Sequence, residues 1–396
     1  MTAAGSASES VLVRALEHVA KSCRPKDRVP ALYHLARAYE RSGRTQEAEL
    51  FFTQTRAAAE EDDPYYALWA ENGLRRLSPG GGRGAKEGVE ERLVTSATPT
   101  PPASNAALAA RLEPIAKLHA DSYPWIARAV DLLRVDERDA ATEELFEAYL
   151  RWREAQGRPV ARAGLDCVAR ADGRSVEPVA SDVREARLDL SDEEREILST
   201  VAASLGDVGT AGGFAGPDFI DALPRAYEWL VTPAAQRYGI DPNLLLAVMR
   251  VESAYQKHIV SYAGAVGLMQ IMPRTGQLIA HALDRNRFSP ADLLDPRVNV
   301  EFAAWYLSSL LNRFDGRLPL AIAAYNGGPH NVRRWIQESA EQTPLDVLLE
   351  RIPFTQTHRY VRKVLVHYEA YRRQHALSMP ELSVVLPEPR VDPLAF

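Results

Sequence analysis

Apolar residues recur at helical spacing along most of the chain, and the strict alternation of a half-buried strand is scarce. In Ala31-Leu32-Tyr33-His34-Leu35-Ala36-Arg37-Ala38-Tyr39 small and large apolar side chains fall at helical offsets. Gly43 breaks that run, and a second helix carrying Ala48, Phe51 and Phe52 ends near Pro64. Tyr65, Tyr66, Leu68 and Trp69 open a further amphipathic helix. The small/large spacing returns between Ala129 and Leu150, through Leu132, Leu133, Ala140, Leu145, Phe146 and Tyr149. Gly206 to Gly216 reads as a loop. From Asp221 to about Arg373 the pattern is helical again, punctuated by Gly239, Pro242, Pro273, Pro290, Pro296, Pro319 and Pro353. These patterns predict an all-α protein.

The helix-turn-helix of residues 1–78 resembles a tetratricopeptide unit, in which Tyr33, Tyr39, Phe51 and Phe52 would be repeat core. A single unit cannot bury both its faces, so stacking partners are expected, from this chain or from another protein. Residues 79–104 hold Pro79-Gly80-Gly81-Gly82-Arg83-Gly84 and Thr98-Pro99-Thr100-Pro101-Pro102, a flexible Gly/Pro-rich linker. Residues 105–220 form a second helical, superhelix-like domain, 221–375 a third, and 376–396 a Pro-rich tail.

With 396 residues, 46% of them hydrophobic and 25% charged, the chain can form two or three ordinary globular domains. Its net charge of −6 supplies no basic field for nucleic acid or anionic lipid. Cys23 and Cys167 are too few for a disulfide framework or a structural zinc site. His258, His281, His330 and His358 lack metal-ligand spacing, so neither metal nor cofactor is expected. No stretch is apolar enough to span a membrane. Arg14, Glu17 and His18 interrupt the one candidate for a secretory h-region, so no signal peptide is visible.

Candidate chemistry centres on one helix. Asp241-Pro242 is a strong helix start, and Leu244-Leu245-Leu246-Ala247-Val248-Met249-Arg250-Val251-Glu252-Ser253 follows. The offsets from Leu245, Val248 and Met249 set Glu252 on the apolar stripe. A carboxylate there loses solvation, so its pKa should rise. A rise of ~2 units corresponds to about 2.7 kcal/mol and would keep it largely protonated, as a general acid must be. The bland alternative is a Glu that reaches solvent or pairs with Arg250 or Lys257. After Glu252 the next acidic residue is Asp284, so the segment lacks the second carboxylate of ordinary glycoside hydrolysis.

Two further segments suit a sugar with an N-acetyl group. Gly264-Ala265-Val266-Gly267-Leu268-Met269-Gln270 sets small residues against an amide. Ala323-Ala324-Tyr325-Asn326-Gly327-Gly328-Pro329 presents a ring beside an amide at a helix end. Glu252-Ser253, Gly267-Leu268-Met269-Gln270, Ala324-Tyr325-Asn326-Gly327-Gly328-Pro329 and Ile352-Pro353-Phe354-Thr355-Gln356-Thr357-His358-Arg359-Tyr360-Val361, in this order, resemble the signature of the soluble lytic transglycosylases. Asp295-Pro296-Arg297-Val298-Asn299 and Trp305-Tyr306-Leu307 agree with it.

That resemblance covers roughly 221–373. It implies a lysozyme-like helical catalytic domain after a helical array, acting on peptidoglycan glycan strands. By position, Glu252 would be the catalytic acid/base, and Ser261, Met269, Gln270, Tyr325, Asn326, Gln356 and Tyr360 would contact sugar or position the acid. The implied reaction cleaves the bond from N-acetylmuramic acid to N-acetylglucosamine and closes a 1,6-anhydro ring. Periplasmic or cell-envelope localisation would follow from the substrate, despite the absent signal. The chain departs from the family at Gln356-Thr357-His358, where large members usually carry Glu-Thr-Arg, so altered subsite affinity is expected. Two alternatives stay open: a hydrolytic lysozyme of similar fold, and a catalytically silent wall-binding or scaffolding protein.

Overall fold

The computed structural model describes residues 13–21, 25–78, 104–156, 190–216, 223–340 and 343–387. Both cysteines and nearly all of the linker lie outside these. In chain order the helices are α1 Pro25–Arg41, α2 Thr45–Asp62, α3 Pro64–Leu77, α4 Asn105–Leu118, α5 Pro124–Arg134, α6 Arg138–Ala155, α7 Asp192–Ser204 and α8 Val208–Ala215. They continue as α9 Glu228–Tyr238, α10 Pro242–Ser253, α11 Pro273–Ala282 and, after a 3-10 turn at Pro290–Leu294, α12 Pro296–Arg313. The last four are α13 Leu318–Gly327, α14 Pro329–Glu338, α15 Leu345–Glu350 and α16 Thr355–Gln374. Among the described residues the chain is all-α; isolated bridges of Val266 with Val260 and Ile271 are its strand-like features.

Two compact units make up the chain, one from residues 1–91 and 310–393, the other from 92–309 and 394–396. The first is discontinuous in sequence. Its boundary at 309/310 falls inside the stretch 221–375 that the sequence pattern groups together, and buried polar pairs account for this. Asp346 of α15 accepts from Arg37 Nε and from Tyr33 Oη, both at 2.8 Å. Asn72 of α3 pairs like backbone with Leu382, giving Nδ2 to its carbonyl at 2.7 Å and taking its N–H at 2.9 Å. Arg362 of α16 donates to Asp63 at 2.6 Å and lies 4.2 Å from the Tyr65 ring centre.

Within α1–α3, Gly43 turns the chain at φ 76, and Tyr33, Tyr39 and Phe52 are buried with Phe51 half-buried. Gly73 lets α3 approach α2: a Cβ there would lie 2.5 Å from the Phe52 ring. Burial alone would push the Asp346 carboxyl up, but the Arg37 charge and the bonds from Arg37 and Tyr33 outweigh it and hold the carboxyl below its ordinary value.

The second unit begins with α4–α8 around Leu108, Leu112, Tyr123, Ile126, Leu145, Leu198 and Phe214. Residues 206–216, which read as a loop, contain a helix. Asp207 caps α8 by accepting from Thr210 N at 3.0 Å. The glycines that suggested a loop serve packing instead. A Cβ on Gly209 would lie 2.4 Å from the Tyr255 carbonyl oxygen, and one on Gly213 2.4 Å from the Tyr149 ring.

Candidate active site

The helix bearing Glu252 starts as the sequence implies, with Asp241 Oδ1 accepting from Asn243 N at 2.8 Å and Pro242 in the first turn. Its burial is broader than a stripe: every residue from Asn243 to Met249 is buried. The sequence pattern understates this because Leu and Ala occupy all faces of the helix. Glu252 sits in the last turn, half-buried. The chain then leaves through two non-glycine residues in the left-handed region, Ala254 at φ 47 and Tyr255 at φ 67. Two such residues in a row are costly unless the surroundings impose them. Tyr255, fully buried, is what they place in the core.

The following loop folds over itself. Ser261 Oγ accepts from Ala265 N at 2.9 Å, and Ser261 N donates to Ala265 O at 2.8 Å. Val266 and Ile271 exchange backbone bonds at 3.0 and 3.1 Å. Gln270 stands at φ 48. Its Nε2 donates to the Ile259 and Gly267 carbonyls at 3.1 and 2.9 Å. The amide donors therefore brace the loop, and what Gln270 can offer a ligand is its acceptor oxygen Oε1. Met269, an expected sugar contact, has its side chain fully buried; its type suits packing in this conformation.

Asn299 of α12 holds this loop, a role the sequence reading did not assign. Fully buried, it accepts from Met269 N at 2.7 Å and donates to the Val266 and Leu293 carbonyls, both at 2.9 Å. Gly267, at φ 78, admits this approach: a Cβ would lie 2.5 Å from Leu293 O and 2.7 Å from Asn299 Nδ2. Replacing Asn299 by Ala takes away the partner of the Met269 N–H and of the Leu293 carbonyl, each costing ~1–3 kcal/mol, while the Val266 carbonyl keeps its bond from Ile271 N. We expect Asn299→Ala to lower stability by about 3 kcal/mol, read by denaturant unfolding. A loss below about 1 kcal/mol would show that the loop holds its shape without this amide.

The other expected residues lie in the first unit. Tyr325 and Asn326, both half-buried, end α13. Asn326 Oδ1 accepts from Thr357 Oγ1 at 2.8 Å, which turns its Nδ2 into the group presented for bonding. Gly327 permits that pairing, since a Cβ would meet Thr357 Oγ1 at 3.0 Å and Trp335 at 3.3 Å. Thr357 is thus the positioning residue in the stretch that departs from the family pattern, and nothing in its residue type alone announced it. Gln356 is exposed in the first turn of α16, Tyr360 is buried one turn on, and His358 Nε2 faces Glu350 at 3.5 Å. Glu252, Ser261, Met269 and Gln270 thus belong to one unit, and Tyr325, Asn326, Gln356 and Tyr360 to the other. No cluster of metal-ligating side chains occurs among the described residues.

Residues 230–346 match the family model described as Transglycosylase SLT domain. The soluble lytic murein transglycosylase of Salmonella typhimurium is 36% identical over 162 residues, covering 41% of this chain and 25% of that one. That of Escherichia coli K12 is 35% identical over 163 residues, again 41% and 25%. Membrane-bound lytic murein transglycosylase C of Cronobacter sakazakii is 31% identical over 185 residues, 40% of this chain and 49% of that one. The first two matches span about a quarter of those relatives' length. The crystal structure of the 70 kDa soluble lytic transglycosylase of Escherichia coli aligns with 95% of this chain and 67% of that one, at 18% identity and a TM-score of 0.43. Residues 230–346, which hold Glu252 and the loop built around Gly267 and Gln270, are thus similar to the transglycosylase SLT domain.

Proposed function

We propose that this protein is a peptidoglycan lytic transglycosylase, with Glu252 as its single acid/base. The observation that carries the proposal is the setting of Glu252: a half-buried carboxyl closing a helix buried on all sides, followed by a braced glycine loop.

In the first step Glu252 gives its proton to the oxygen joining N-acetylmuramic acid to N-acetylglucosamine, and the bond from that oxygen to the anomeric carbon breaks. The substrate's own 2-acetamido oxygen stabilises the electron-poor carbon, which is why one carboxylate suffices where ordinary glycosidases use two. Glu252, now ionised, takes the proton of the muramic 6-hydroxyl as that oxygen bonds to the anomeric carbon. A 1,6-anhydro ring closes and the acid is regenerated, with no water consumed. Attack within one sugar gains the entropic advantage of an intramolecular reaction.

In this reading Gln270 accepts from a sugar hydroxyl or amide through Oε1, the Asn326 amide donates to an acetamido oxygen, and Tyr325 covers an apolar sugar face. Gln356 and Tyr360 add contacts at a further subsite, and Ser261 shapes the loop. Work on such a substrate belongs to the cell envelope. Among the described residues no helix is long and apolar enough to cross a membrane.

The test is digestion of purified sacculi with the full chain, reading products by mass. Muropeptides lighter by one water are expected. Reducing-end products would assign the protein to hydrolysis, and undigested sacculi to binding without catalysis.

A further inference from the structure

The chain leaves Glu252 into a small charged cluster that the reaction above does not use. Lys257, 5% exposed, donates to Glu143 Oε1 at 2.7 Å and lies 3.6 Å from Asp207 Oδ2. His258 Nε2 is 2.9 Å from the other Glu143 oxygen, within ion-pair reach though without hydrogen-bond alignment. The His258 ring also lies against Phe146 of α6, with centres 4.4 Å apart. Asp207 is held in turn by Thr210 Oγ1 at 2.8 Å and Tyr227 Oη at 3.2 Å.

Partial desolvation acts to push the Glu143 carboxyl up, but the His258 and Lys257 side chains beside it outweigh this and bring it down to about 2. Two bases thus converge on one carboxylate of α6, a helix far upstream of the catalytic region in sequence. A second contact runs in parallel. The missing Cβ of Gly209 lets α8 press on the backbone at Tyr255 and Gln256, where Ala254 and Tyr255 adopt their left-handed conformations.

We infer that Glu143 is a positioning residue: by clamping Lys257 and His258 it fixes the turn through which Glu252 leaves its helix, and so the angle at which the acid is presented. This rests on the function proposed above and extends it, since it makes the upstream helical block a working part of the active site. Helix α10 is held at its start by its own cap and over most of its length by burial. Its last turn is anchored through residues 254–258. An acid misplaced by a fraction of an ångström still lets substrate bind but transfers its proton poorly.

The experiment compares the full-length wild type with Glu143→Gln and Glu143→Asp. Glu143 is more than half exposed, with 55% of its side chain accessible, so these changes leave the core intact. In Glu143→Gln we expect kcat on sacculi to fall about tenfold with KM within about twofold of wild type. Amide hydrogen exchange over residues 254–258 should quicken about tenfold while the rest of α10 stays protected. Glu143→Asp, which keeps the charge, should recover most of both. Unchanged exchange overturns the clamp. Faster exchange with unchanged kcat overturns its role in presenting Glu252, as does a fall in kcat that Asp fails to recover. A wild type that yields no anhydro product overturns the proposed function instead, and the exchange measurement still decides whether the clamp exists.

Discussion

Glu252→Gln should release no measurable anhydro product from sacculi that the wild type digests, while the variant still sediments with them. A positioned acid/base contributes about 10²–10⁴-fold, and here one group acts in both halves of the reaction, so a fall near the top of that range, about 10⁴-fold, is expected. Glutamine keeps the size and polarity of the side chain, so affinity for the sacculi should persist. Folding serves as the control, read by circular dichroism and thermal unfolding of both proteins. Activity retained within about tenfold would mean that the proton comes from elsewhere and that the family assignment does not carry the mechanism.

The largest effect on stability is expected at Asp346. Asp346→Ala strips Arg37 of the carboxylate it meets at 2.8 Å and leaves the Tyr33 hydroxyl without its acceptor. Side-chain exposures of 5% and 2% for the two partners put this pair deep in the first unit. Removing one member of a buried pair costs roughly 3–5 kcal/mol, chiefly through the charge left behind. Glu40, which also pairs with Arg37, offsets part of that. Because the folded carboxyl lies below its ordinary value, its contribution is present at neutral pH and is lost as pH falls through the folded-state value. Denaturant unfolding of the wild type and Asp346→Ala checks both points. A difference under about 1 kcal/mol at neutral pH would show that Arg37 finds full compensation elsewhere.

The sequence disclosed most where the forces involved are short in range. Helix starts were legible because a cap such as Asp241 followed by Pro242 is a local device. The all-α architecture was legible because apolar periodicity is local too. Glycines misled where their purpose was distant: residues 206–216 read as a loop, yet Gly209 and Gly213 serve contacts with Tyr255 and Tyr149. The Glu143, Lys257 and His258 cluster was illegible for the same reason. From the sequence Lys257 is a candidate partner for Glu252 and His258 an ordinary histidine, whereas α6 supplies the carboxylate that both meet. Asn299 stood inside a recognisable motif, but that it braces Met269 and Val266 depends on coordinates. Gln270 was singled out as a polar group in a glycine setting, and the commitment of its donors to Ile259 and Gly267 leaves its acceptor oxygen as what it can offer a sugar.

The split unit also bears on how the protein is made. Arg37 and Asn72 leave the ribosome long before Asp346 and Leu382, which satisfy them. At about 5–20 residues per second that interval is roughly 15–60 s. Throughout it Arg37 has Glu40 but lacks Asp346, and the Asn72 amide lacks the Leu382 backbone. The nascent N-terminal helices therefore gain these partners only once residues 346 and 382 have been made.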